Sequence, residues 1–144
     1  MKSFSPGDEV RLVTDIVNDG TLFGRKRGET IQSTGDTGFI KKQGWFLEDL
    51  VIEVHFINTD LVVGCREKEL IPVDHPWQPP AFAQGQGVMA RIALTSAGVG
   101  LVEAGCLGRV QKRRYDLDLG YLYQVLFTGE VNSYLLLETQ LEGL

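Results

Sequence analysis

Cysteine is nearly absent: Cys65 and Cys106 are the only two in 144 residues. That is too few for a disulfide framework and points to a reducing compartment. There is no Cys-x-x-Cys pair and, with His55 and His75 the only histidines, no His-Glu-x-x-His. Positive charge is also scarce. Lys and Arg number 14 against 19 Asp and Glu, a formal net charge of −5. An acidic chain lacks the basic surface that nonspecific nucleic-acid or anionic-membrane binding needs, so neither is expected as a partner. No apolar run approaches the roughly 18 residues of a membrane span. Residues 1–6 run straight into Pro6 without the apolar core of a signal peptide, so a cytoplasmic location is expected. Gly-x-Ser-x-Gly and phosphate-cradling glycine loops are missing as well. The chain is therefore expected not to be an enzyme and to need no cofactor.

Glycine, by contrast, is plentiful: 17 of 144 residues, about 12% against an average of about 7%, so the chain must turn often. The length suits one ordinary domain or two very small ones. An internal repeat favours two. Phe4-Ser5-Pro6-Gly7-Asp8-Glu9-Val10 is echoed by Phe82-Ala83-Gln84-Gly85-Gln86-Gly87-Val88. Gly38-Phe39-Ile40-Lys41-Lys42 is echoed by Gly108-Arg109-Val110-Gln111-Lys112. Val54-His55-Phe56 answers to Val125-Leu126-Phe127, and Glu67-Lys68-Glu69-Leu70 to Glu138-Thr139-Gln140-Leu141. The matches keep their order, and the first copy carries roughly eight extra residues after its first strand, a length typical of functional loops. Four of the five prolines lie in 72–80. Proline fixes φ and removes a donor, so a semi-rigid linker is expected there. The division reads 1–74, linker 75–81, and 82–144.

Within a copy the pattern is β. In residues 8–13, Val10 and Leu12 alternate with Glu9 and Arg11, the period of a half-buried strand. A long polar connection leads to strands at 38–42, 50–56 and 61–65, the last two joined by the tight turn Asn58-Thr59-Asp60. Residues 66–70 are too short for a stable helix and read as one 3₁₀-like turn. Ile71-Pro72-Val73 closes as an edge strand, where proline is tolerated. The second copy offers strands near 88–92, 107–112, 121–127 and 134–137, then a turn at 138–141. The expected fold is all-β: two tandem SH3-like small barrels related by internal duplication. Each would be marginal alone, so they are expected to pack together.

The chemistry-bearing residues are isolated. Cys65, beside Arg66, could serve as a thiolate ligand or be a small buried hydrophobe; its repeat counterpart is Leu136, which favours the core. Cys106 has no partner at metal-ligand spacing. His55 faces outward if Ile52, Val54 and Phe56 face inward. The first long loop holds Asn18-Asp19-Gly20-Thr21-Leu22-Phe23-Gly24-Arg25-Lys26-Arg27-Gly28. Its basic cluster Arg25, Lys26 and Arg27 adjoins apolar Phe23, the kind of rim that marks partner sites. Trp45 and Phe46, at the next strand connection, either close the barrel end or form a docking anchor. Lys112-Arg113-Arg114-Tyr115 is a basic-aromatic run of the kind RNA-binding barrels use. It is short, and Asp116 and Asp118 follow it, so it reads as a solvated strand end.

Asn18-Asp19-Gly20-Thr21, Gly24, Gly28, Thr37-Gly38-Phe39, Gly44, Phe46-Leu47, Val54-His55-Phe56 and Val63-Gly64-Cys65-Arg66-Glu67, with Glu69-Leu70-Ile71, resemble the NifZ family. The resemblance covers the first copy. It implies an accessory factor in nitrogen fixation that assists maturation of the nitrogenase molybdenum–iron protein. The step concerned is formation of the second P-cluster, with the nitrogenase iron protein taking part. It implies a chaperone rather than an enzyme, and marks Asn18, Asp19, Thr21, His55, Cys65, Arg66 and Glu67. Cys65 apart, which is at most a weak metal candidate, these residues together with Phe23, Arg25, Lys26, Arg27, Trp45 and Phe46 from the loops are the ones expected to meet a partner. Rival readings are a nucleic-acid-binding tandem barrel, opposed by the charge, and an iron or iron–sulfur carrier using Cys65 and His55.

Overall fold

The computed structural model describes residues 4–18, 24, 26–96 and 98–144. The chain divides into two units, Met1–Pro79 and Pro80–Leu144. Among the described residues the secondary structure is strand and single 3₁₀ turns, and no helix is long and apolar enough to cross a membrane.

The first unit contains β1 (Glu9–Leu12), β2 (Ile16–Val17), β3 (Thr30–Gln32), β4 (Thr37–Phe46), β5 (Asp49–Phe56), β6 (Leu61–Arg66) and β7 (Leu70–Pro72). A 3₁₀ turn at Glu67–Glu69 precedes β7. Five of the strands form a sheet in the order β6-β5-β4-β1-β7, every pair antiparallel, and β2 with β3 makes a separate ribbon. The alternation in the sequence is what builds the core. Val10 and Leu12 of β1 and Ile52, Val54 and Phe56 of β5 are fully buried and meet Phe4, Ile40, Cys65 and Leu70. Gly38 lets β4 cross closely: a Cβ there would lie 2.5 Å from the His55 carbonyl oxygen and 2.8 Å from Val54 Cγ1. Just beyond, the β4–β5 register shifts between Ile40 and Lys42, a bulge that bends the strand.

The second unit contains β8 (Gly87–Ala90), β9 (Leu94–Ser96), β10 (Val99–Val102), β11 (Leu107–Asp116), β12 (Gly120–Phe127), β13 (Tyr134–Leu137) and β14 (Leu141–Gly143). Its sheet runs β13-β12-β11-β8-β14, with β9 and β10 a separate ribbon. Position by position this is the order of the first unit, and the small contacts follow. Gly7 N–H donates to the Ile40 carbonyl at 2.8 Å and Gly85 N–H to the Val110 carbonyl at 2.7 Å. The Gln43 amide donates to the Phe4 carbonyl at 2.9 Å, and the Arg113 guanidinium to the Phe82 carbonyl at 3.0 Å. Each 3₁₀ turn is closed by a side chain, Glu69 accepting from Arg66 N–H at 2.6 Å and Gln140 from Leu137 N–H at 2.9 Å. The second long strand is bulged between Val110 and Lys112, as the first is between Ile40 and Lys42.

The strands differ from the sequence expectation in three places. β4 continues to Phe46 and β11 to Asp116, well past the expected ends at 42 and 112. From Lys41 onward every β4 residue is exposed, so the alternation that betrays a strand disappears while pairing to β5 persists. The ribbons β2–β3 and β9–β10 lie where only connections are expected. β8 stops at Ala90, short of 92. The proline-rich stretch is tied at both ends. The Trp77 ring lies 4.8 Å from the Arg11 guanidinium in the first unit, and Ala81 N–H donates to Tyr123 Oη at 3.1 Å in the second.

Candidate functional site

The β4–β5 hairpin ends in the pair Phe46 and Asp49, with a tight turn at 47–48. Leu47 takes a φ of 56°, in the left-handed region that a branched side chain rarely adopts and that hairpin turns usually give to glycine or asparagine. Three consecutive large apolar side chains result, Trp45 at 73%, Phe46 at 70% and Leu47 at 87% exposure. At that exposure neither ring closes the end of the unit. The matching place in the second unit behaves differently. There Tyr115 stands opposite Tyr121 in an edge-to-face contact, ring centroids 5.0 Å apart. Its turn is held by the Asp116 carboxylate, which accepts from the Asp118 and Leu119 amides at 2.9 Å each. Those two bonds, with Arg114 nearby, hold the Asp116 carboxyl below its ordinary value. Trp45 has Leu50 opposite it instead.

The charges beside the tip are paired with each other. Arg66, across from Val51, meets the Asp49 carboxylate at 3.1 Å, and Lys42 meets Glu53 at 3.5 Å. Such exposed pairs contribute at most about 1 kcal/mol each; they neutralise the strands below the tip, while the exposed Glu48 carboxylate stands in the turn itself. Glu67 follows Arg66 as an exposed residue at the start of the 3₁₀ turn. Arg66 and Glu67 therefore lie on the segment beside the tip, although sequence reasoning did not connect them with Trp45 and Phe46. Leu47 and Asp49 belong to the same connection, 44–50, that the sequence marks as a docking candidate, but they are not among the residues expected to meet a partner. The signal available was a Trp-Phe-Leu run immediately before Glu48-Asp49, with no room for a longer loop.

His55 is not part of this cluster. It sits six residues along β5 from Asp49, about 20 Å at strand rise, between Phe39 and Val62, and its Nε2 lies 2.6 Å from the Asp60 carboxylate.

Asn18 is buried, and its amide donates to the Lys26 carbonyl at 3.1 Å while its backbone bonds Glu29 and Gly28 at 2.7 Å each. It shapes the long loop from inside. Lys26 and Arg27 are exposed; Asp19, Thr21, Phe23 and Arg25 lie outside the described residues. A second buried polar side chain, Gln32, joins β3 to the β5–β6 turn. It accepts from the Thr59 hydroxyl and donates to Asp36 at 2.8 Å and Asn58 at 3.2 Å.

Cys65 is 1% exposed, and its thiol donates to the Val63 carbonyl at 3.6 Å. Burial, with a smaller contribution from Glu69, pushes it up to about 12. A thiol held protonated at neutral pH is neither a nucleophile nor a ready ligand. Among the described residues, no three His, Cys, Asp or Glu side chains are grouped so as to hold a metal.

In class this is a small all-β protein of two units, each built on an antiparallel five-stranded sheet, and among the described residues its most exposed aromatic rings stand on one hairpin tip. The family model for the NifZ domain matches residues 1–72. The chain is 40% identical to the Protein NifZ of Klebsiella pneumoniae over 127 residues, covering 88% of this chain and 85% of that protein. It is 40% identical to the Protein NifZ of Azotobacter chroococcum mcd 1 over 129 residues, 88% of this chain and 82% of the other. That of Azotobacter vinelandii is 38% identical over 129 residues, with 88% and 81% covered. The chain belongs to the NifZ family. These matches are too long for the first unit alone, so the likeness extends beyond the segment that the sequence motifs mark.

Proposed function

We propose that the chain is an accessory docking protein of nitrogen fixation that binds the immature nitrogenase molybdenum–iron protein while its second P-cluster forms. Membership of the NifZ family supports the accessory role. The observation that supports docking is the Trp45-Phe46-Leu47 tip. Adjacent exposed apolar side chains of this size raise no fold stability and mark an interaction surface. Aromatic anchors of this kind carry about 2 kcal/mol or more each when they fill a partner's pocket.

In this reading the cluster chemistry belongs to the partners, with the nitrogenase iron protein acting on the same complex, and the chain works in the cytoplasm. The fold part of the proposal is that both units are SH3-like barrels descended from one duplicated unit, bounded at 1–74 and 82–144. The matching strand orders and hydrogen bonds support it. The first barrel carries the tip, with Arg66 and Glu67 beside it and the exposed Lys26 and Arg27 on its long loop.

The test is anaerobic binding of the purified chain to cluster-poor molybdenum–iron protein, comparing wild type with W45S/F46S. Two lost anchors should weaken binding by about a hundredfold or more, with the melting temperature unchanged because both rings are exposed. Equal affinity for the folded double variant refutes docking through the tip.

A further inference from the structure

The outward face of the second sheet carries two cations: Lys112, whose counterpart Lys42 is neutralised in the first sheet, and Arg114, which stands where the first sheet has Gly44. Along β11, β12 and β13, Lys112, Gln124 and Leu135 form one cross-strand row, and Arg114, Leu122 and Leu137 the next. The corresponding rows of the first unit are Lys42, Glu53 and Gly64, then Gly44, Val51 and Arg66. There Lys42 has Glu53 at 3.5 Å and Arg66 has Asp49 at 3.1 Å. In the second unit Gln124 replaces the glutamate, and its amide donates to Ser133 Oγ at 2.7 Å. Gly120 stands where Asp49 would.

Lys112 consequently has no ion-pair partner among the described residues. The acid nearest Arg114 in sequence, Asp116, already accepts two backbone amides. These cations border a groove of about 280 Å³ lined by Lys112, Arg113, Arg114, Gln124, Ser133 and Leu135. Arg113 is engaged with the Phe82 carbonyl, and Leu135 is 47% exposed. An unpaired lysine and an exposed arginine, the latter with Asp116 nearby, flank an exposed leucine and make a local reversal of sign on a chain of net charge −5. Such a patch selects its partner by complementary charge.

We propose that this groove binds a short acidic segment of a partner protein, its carboxylates on Lys112 and Arg114 and an apolar side chain against Leu135. A nucleic-acid strand needs a continuous basic track and stacking platforms. The groove lining supplies three basic residues, one of them already engaged, and no aromatic ring. The site is separate from the hairpin tip and stands whether or not the tip docks.

The experiment uses the full chain and a fluorescent peptide of about a dozen residues, made of Glu and Leu, followed by anisotropy at low salt. Binding is expected, falling about tenfold or more in K112E/R114E and unchanged in W45S/F46S. Circular dichroism confirms that each variant folds. In K112E/R114E a Lys and Leu peptide should bind instead. Three outcomes overturn the proposal: no binding of the acidic peptide, equal binding by K112E/R114E, or tighter binding of a single-stranded RNA lost on the same substitutions.

Discussion

The thiol of Cys65 makes the first unit vulnerable to alkali in a calculable way. Its titration point rises from 9.0 in the free residue to about 12 in the fold, chiefly by burial. The fold therefore favours the protonated form, and the stability this contributes is complete below pH 9. Above that, unfolded chains release a proton that folded chains keep. Stability should fall by about 1.4 kcal/mol for each pH unit, until the folded thiol also ionises near pH 12. The whole window is worth about 4 kcal/mol, a large share of the 5–15 kcal/mol typical of a domain. Urea denaturation of wild type and Cys65→Ala at intervals from pH 7 to 11 reads it out. The alanine variant should start lower, by about 1–2 kcal/mol for the lost contacts, and then fall less steeply, so that the curves converge. Other alkaline titrations, including the raised Tyr115 and Tyr123 of the second unit, are common to both proteins and cancel in the difference. Parallel curves between pH 9 and 11 would refute the buried neutral thiol. So would native Cys65 reacting with a disulfide reagent as fast as the less buried Cys106.

Three other substitutions test the fold and the tip. Gly38→Ala places a methyl against the His55 carbonyl and should cost about 3 kcal/mol or more, read as a lower urea midpoint. Gln32→Leu strips the Thr59 hydroxyl of its acceptor and Asp36 and Asn58 of a donor. It should cost about 2 kcal/mol and raise hydrogen exchange at 30–32. Leu47→Asn relieves a left-handed leucine and should raise stability by about 0.5–1 kcal/mol in thermal melts, while weakening the docking proposed for the tip.

Much of the β pattern was legible because burial imposes it. Val10, Leu12, Ile52, Val54 and Phe56 announce two strands by alternation, and Glu67–Glu69 forms the short turn that its length demanded. What was not legible lies where burial stops. The outer halves of β4 and β11 are held by pairing to a neighbour, and pairing leaves no mark on side-chain period. The same gap made Trp45 and Phe46 look like an ambiguous loop. Asn18 was legible as important and illegible as buried: a polar residue in a glycine-rich loop reads as surface until its Lys26 and Glu29 partners are in place.

The two units let fold requirements be separated from surface features. Gly38 and Gly108, the bulges before Lys42 and Lys112, and the side-chain closure of each 3₁₀ turn occur in both. Each has a steric or hydrogen-bonding reason to be there. Among the described residues the exposed Trp45-Phe46-Leu47 run occurs in the first unit alone, and the groove bordered by the unpaired Lys112 and by Arg114 in the second alone. Since the other sheet adopts the same strand order without the feature in question, neither is needed to make the sheet. A left-handed leucine is a local cost that the framework does not require. It is at these positions, where the other unit adopts the same strand order without them, that binding is the physically economical explanation.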